Sequence, residues 1–190
     1  MKTIALAFAV AFATPVVAQT NPLESATLMK KAINDVGIAY TFYGQGFTQK
    51  VVKDAAIPGE HFVHVDVSQK GAHPWDAGAQ YAVNKPIKAG DVVFFAIYAR
   101  APNLKDGERL VISGVGVGQT EAPYSSIAMT EMHLTNQWNV YYASAKTTTA
   151  TPRGQARASL QLAGDKQVID LGPLIVLDLG PDYDLASLPH

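Results

Sequence analysis

Asp91-Val92-Val93-Phe94-Phe95-Ala96-Ile97-Tyr98-Ala99-Arg100 decides the fold class. Successive side chains of a strand point to opposite faces, so one parity collects Val93, Phe95, Ile97 and Ala99 and the other Phe94, Ala96, Tyr98 and Arg100. The first set is a core face. The second ends in a phenol ring and a guanidinium, which suits a half-polar surface at a cleft.

On either side of this stretch the same kind of run recurs: Val51-Val52, Phe62 to Val67, Gln80 to Val83, Leu110 to Val117, Ile127 to Leu134, Trp138 to Ser144, Ala156 to Leu162 and Val168 to Leu179. The runs are separated by turn chemistry such as Pro58-Gly59, Asn84-Lys85-Pro86 and Ala163-Gly164-Asp165. Short strands at this spacing predict an all-β sandwich or barrel. No helical period persists after Gly37, so the crossovers of a parallel sheet are not available.

Upstream, Asn21-Pro22-Leu23-Glu24 has the signs of a helix start, and Leu28, Met29, Ala32, Ile33 and Val36 follow at helical spacing before Gly37. A short N-terminal helix is expected there. Met1 to Ala18 reads as a cleaved signal peptide: Lys2 precedes an apolar run, Pro15 breaks it, and Val16-Val17-Ala18 suits the peptidase. That run is too short for a bilayer core of roughly 30 Å, which needs about 20 residues. The expected product is a secreted or periplasmic protein with one domain over residues 19–190, its core over about 40–180, and no membrane span.

Composition narrows the function. The 190 residues carry 15 Lys and Arg against 16 Asp and Glu, so no clustered positive charge invites a nucleic acid. With no cysteine, disulfides, thiolate metal sites and cysteine nucleophiles are excluded together. His61 and His64 fall on opposite faces of a strand and cannot converge on one metal, and His73, His133 and His190 have no neighbour at ligand spacing. Gly114-Val115-Gly116-Val117-Gly118 lacks the helix that a phosphate loop needs; it reads as flat backbone beneath a large side chain or a ligand. Glu121 and Glu131 are the close glutamates of the second half, without a strand motif that would pair them as glycosidase acids.

Recognition of a sugar requires less than catalysis: aromatic faces for stacking, with planar amides and guanidinium groups for hydroxyls. Gln80 and Gln161 lie opposite in parity to the apolar residues of their strands, and Gln119 follows the glycine run. Trp75, at a loop-to-strand junction, and Tyr124, in a loop, have the placement of rings that overhang a cleft. Trp138 shares its parity with Val140 and Tyr142 and reads as edge of core.

The succession Pro74-Trp75-Asp76, Lys85-Pro86-Ile87-Lys88-Ala89-Gly90-Asp91, Ile97-Tyr98-Ala99-Arg100-Ala101, Leu134-Thr135-Asn136-Gln137-Trp138 and Gln167-Val168-Ile169-Asp170-Leu171-Gly172 resembles the jelly-roll carbohydrate-binding modules attached to bacterial xylanases. The resemblance covers about residues 45–180. It implies a galactose-binding-like β-sandwich of two antiparallel sheets with a polysaccharide cleft. It also implies that Tyr98 and Arg100 face that cleft, although the family commonly has Trp where Tyr98 stands. Trp75 matches the family's Trp that begins an early strand, and Trp138 the one before a late strand. Many relatives hold a structural calcium, and Asp170 is the matching acidic position; no cofactor is required for function.

The combined expectation is a non-catalytic secreted protein that binds a β-linked plant or cell-wall polysaccharide of xylan or glucan type through Trp75, Gln80, Tyr98, Arg100, Gln119 and Tyr124. The alternatives are a small polysaccharide hydrolase or lyase using Glu121 or Glu131 as acid, and a scaffold that buries the same face against a protein partner.

Overall fold

The computed structural model describes residues 26–189. The signal-peptide segment and the expected helix start at Asn21-Pro22-Leu23-Glu24 lie outside the described residues. Ten strands follow: β1 (Thr41–Tyr43), β2 (Phe47–Lys53), β3 (His61–Val67), β4 (Gly78–Ala82), β5 (Val92–Arg100), β6 (Leu110–Gln119), β7 (Ser126–Leu134), β8 (Asn139–Lys146), β9 (Ala156–Gln161) and β10 (Gln167–Gly180). They form two five-stranded antiparallel sheets, ordered β2-β3-β10-β5-β8 and β1-β4-β9-β6-β7, which is the expected jelly-roll sandwich. Among the described residues no helix is long and apolar enough to cross a membrane.

Alternation places the core between the sheets. From β5 it takes Val93, Phe95, Ile97 and Ala99, and from β9 Ala156, Ala158 and Leu160, all buried. Each fully buried aliphatic or phenyl side chain contributes roughly 1.5–3 kcal/mol of transfer free energy. The opposite parity of β9, Arg157, Ser159 and Gln161, is left half-buried on the outer face of the second sheet.

β10 breaks the alternation, being buried on both faces for most of its length. Its inner face gives Ile169, Leu171, Leu174 and Val176 to the main core. Its outer face gives Ile175, Leu177 and Leu179 to a second apolar cluster with Phe94 and Ala96, covered by Leu28, Met29, Tyr183 and Leu185. A strand covered on both sides reads as a continuous apolar run.

The expected N-terminal helix is not confirmed over its length: among the described residues α-helix is limited to Ala26–Met29, and residues 31–37 are not helical. β3 pairs with β10 only as far as Leu171, which leaves the next residues of β10 with unpaired backbone groups along one edge. Residues 31–37 fill that edge: Ile33 donates its N–H to Val176 O (2.9 Å), Leu174 N–H donates to Gly37 O (2.9 Å) and Asp178 N–H to Lys31 O (3.1 Å). The Asn34 side chain completes the row, accepting from Val176 N–H at 2.7 Å. Ile33 enters the main core and Ala32 packs on the second cluster, so burial on two clusters, rather than one helical face, produces the spacing of apolar residues.

Candidate functional site

The outer face of the second sheet is built in rows set by strand register. One row runs Tyr43, Gly78, Gln161; the next runs Thr41, Gln80, Ser159, Gly116, Met129; the third runs Ala82, Arg157, Gly118, Ser126. Glycine and serine in the middle of these rows make a low floor. Gly116 sits at φ +135°, where a Cβ would collide with Ala128 O, so only glycine fits. At Gly114 the position of a Cβ is taken by the Gln161 amide, which lies flat on the backbone.

Over this floor opens a cleft of about 880 Å3, lined by Tyr43, Trp75, Gln80, Gln119, Pro123, Tyr124, Ser126, Met129, Arg157, Ser159 and Gln161 together with Gly118. Trp75 stands at one wall on the 3-10 turn Pro74–Asp76, held by stacking on His73 with centroids 4.6 Å apart and planes at 10°. The Asp76 carboxylate fastens the turn by accepting from His73 N–H at 2.8 Å. Tyr124 stands in the loop between β6 and β7 with φ +56°, its N–H donated to Glu121 O at 2.7 Å. Both rings are outliers in exposure, 56% for Trp75 and 64% for Tyr124. Aromatic area left in water beside a concave polar floor is the feature of a ligand site.

Arg157 is the one charged side chain among the described residues that lines the cleft, and no carboxylate joins it there. Burial pushes the Tyr43 phenol above its usual value of 10.0, the Arg157 charge opposing the shift and Asp76 adding to it. Among the described residues none engages the side chains of Gln80, Gln161 or Arg157 in a hydrogen bond or ion pair. Their donors and acceptors are available to a ligand.

Of the residues that the sequence singles out, Trp75, Gln80, Gln119 and Tyr124 come together here. Tyr98 and Arg100 do not. They lie on β5 in the other sheet, on its outer face, and the expectation that they face the same cleft is corrected. Tyr98 packs against the second apolar cluster, with Gly172 leaving room for its Cβ. Arg100 donates from Nε to Asp170 Oδ2 (2.7 Å), reaches Asp54 Oδ2 with Nη2 (3.6 Å) and lies 4.5 Å from the Trp138 ring centroid. Trp138 in turn donates Nε1–H to Asp54 (3.0 Å) and meets Phe62 edge-on.

Asp170 does not fit a calcium ligand. It is 1% exposed, and each carboxylate oxygen has a partner, Oδ1 accepting from His64 Nδ1 at 2.7 Å and Oδ2 from Arg100. Calcium needs six to eight oxygens, and among the described residues no three His, Asp or Glu side chains gather to hold a metal. The cation opposite Asp170 is the guanidinium.

Neither glutamate of the alternative reading is brought to the cleft. Glu121 is exposed in the Tyr124 loop, and Glu131 pairs with His133 Nε2 at 2.8 Å on the edge strand β7; neither lines the cleft. Tyr43 and Arg157 were not foreseen. Tyr43 ends a three-residue strand too short to show alternation, whereas Arg157 lay in the open, on the outward parity of Ala156-Arg157-Ala158-Ser159-Leu160-Gln161.

No family model and no curated protein matches the sequence. Solved structures do. An arabinose-bound α-L-arabinofuranosidase, MgGH51, is similar at TM-score 0.54 and 12% identity over 82% of this chain and 26% of its own, so the chain spans about a quarter of that enzyme's length. A family 4 carbohydrate-binding module, CBM4, is similar at TM-score 0.50 and 18% identity over 73% of this chain and 90% of the module. The N-terminal cellulose-binding domain of Cellulomonas fimi β-1,4-glucanase C gives TM-score 0.48 and 17% identity over 77% of this chain and 90% of that domain. At such identities the likeness is one of fold: the chain has the jelly-roll sandwich of carbohydrate-binding modules.

Proposed function

We propose that this protein binds a polysaccharide chain, without cleaving it, in the cleft over the second sheet. The observation that carries the reading is the pairing of two exposed rings, Trp75 and Tyr124, with a floor of side-chain amides that have no partner among the described residues. Pyranose rings present apolar faces and equatorial hydroxyls, so Trp75, Tyr124 and Tyr43 would stack while Gln80, Gln119 and Gln161 bond the hydroxyls. The polymer belongs to the β-linked xylan or glucan class, and residues 1–18 would direct the chain to the place where such polymers occur. The fold shared with carbohydrate-binding modules supports this reading, and the absence of a carboxylate among the described lining residues speaks against hydrolysis in the cleft.

Affinity electrophoresis through xylan, mixed-linkage glucan and a soluble cellulose derivative tests it. Retardation on at least one, reduced in Trp75→Ala and in Tyr124→Ala, is expected. Each ring contributes on the order of 1 kcal/mol, which is several-fold in affinity. Unretarded migration on all three, or retardation that both variants keep in full, would sink the proposal.

A further inference from the structure

We infer that the polymer is acidic, a chain bearing uronic-acid carboxylates, and that Arg157 selects it; the inference rests on the carbohydrate reading above. Arg157 sits on β9, inside the sheet between β4 and β6, half-buried, and its register neighbours are Ala82 and Gly118. Small neighbours on both sides leave the guanidinium room and no competitor.

A half-buried cation loses hydration, and a chain normally compensates with a carboxylate or carbonyl. The contrast within this molecule is direct. Arg100, also half-buried, has Asp170 and Asp54 opposite it. Among the described residues Arg157 has no ion pair and no side-chain hydrogen bond, and no carboxylate lines the cleft; the charge of Asp76, which accepts from His73 N–H, reaches only Tyr43 at the wall. Neutral hydroxyls are already served by the amides. The guanidinium adds a fixed fork of donors that matches a planar carboxylate with two parallel bonds.

Position along the groove points the same way. A second hollow of about 270 Å3, lined also by Thr41, Asn84, Thr120 and Gly154, shares Gln80 and Arg157 with the main cleft. The groove therefore continues past Arg157. The guanidinium meets a sugar within a chain rather than at its end, where a repeated acidic residue offers a carboxylate in any register.

The test uses the full chain, with glucuronoxylan and a C6-oxidised β-1,4-glucan (a β-linked glucuronan) each set beside its carboxyl-reduced, neutral counterpart. Retention should be stronger on at least one acidic form than on its reduced form, and should weaken as salt rises from about 0.05 M to about 0.5 M. Arg157→Gln should lose roughly tenfold or more on the acidic form, the scale of a charge-assisted bidentate contact, and keep its retention on the reduced form. Arg157→Lys, which keeps the charge and loses the fork, should fall between. Arg109→Gln, at an exposed loop between β5 and β6, controls for net charge and should change nothing. Equal retention on acidic and reduced polymers, or an Arg157→Gln variant that folds with an unchanged thermal midpoint and keeps its acidic retention, overturns the inference and leaves the carbohydrate reading standing. No retention of the unmodified chain on any polymer, acidic or neutral, overturns both.

Discussion

The Tyr43 ring lies directly on the backbone of Gly78: a Cβ added to that glycine would stand 2.6 Å from the Tyr43 hydroxyl and 2.8 Å from its Cε1. The two residues are cross-strand partners in β1 and β4, so the ring forms the wall of the cleft by occupying space that any other residue would fill.

Gly78→Ala should therefore act on stability and binding together. The new methyl would also come 2.5 Å from Leu160 O, which is backbone and cannot swing away. A loss of about 1–3 kcal/mol, the usual cost of overpacking, is expected in urea unfolding, with weaker retention on whichever polymer the native chain binds. Unchanged unfolding would mean that Tyr43 does not rest there.

Arg100→Ala separates the two sheets. Removing the guanidinium leaves the Asp170 carboxylate buried with His64 alone, and breaking a buried pair costs about 3–5 kcal/mol. Retention by the folded fraction should equal that of the native chain, as should retention by Tyr98→Ala. A specific loss of binding in either variant, at full folding, would return β5 to the binding site.

At Tyr124 stability and binding should part. A bulky residue at φ +56° is in the left-handed region, which costs roughly 1 kcal/mol and which glycine adopts freely. Tyr124→Gly should unfold at the same or a higher denaturant concentration than the native chain and yet bind polysaccharide more weakly. Tyr124→Ala, with the ring gone and the backbone conflict kept, should bind as weakly and unfold earlier than Tyr124→Gly. A glycine variant less stable than the alanine variant would contradict this account.

Asp178 carries the clearest pH signature. Burial pushes its carboxyl above the usual 3.8, and the neighbouring Asp91 raises it further, against the lowering effects of Gly180 N–H and Lys31. Between 3.8 and the raised value the folded state holds more protons than the unfolded one, so stability falls as pH rises through that window. Asp178→Asn removes the titration while keeping an acceptor for Gly180 N–H (3.0 Å). Its thermal midpoint should exceed that of the native chain at pH 7, and the gain should shrink as the pH is lowered to about 3. A gain independent of pH would refute the linkage.

Much of the sandwich could be read from period-two alternation because most strands are buried on one face only. The limits of that reading are physical. Parity identified Phe94, Ala96, Tyr98 and Arg100 as the face of β5 away from the main core, which is correct, but parity does not say what else covers that face. Here Phe94, Ala96 and Tyr98 meet the second apolar cluster, and Arg100 meets Asp170. The glycine run kept its meaning: Gly114 and Gly116 are flat backbone beneath Gln161 and against Ala128. The expected helix does not reach over residues 31–37, because these answer to the open edge of β10, a partner more than a hundred residues away that no local period records.

That edge has a practical corollary. A chain trimmed to the segment 40–180 would keep all ten strands, yet it would leave one side of Leu174 to Asp178 in a long apolar strand open, and such a margin tends to pair with the like margin of another molecule. A shortened version meant to stay monodisperse should keep residues 31–37.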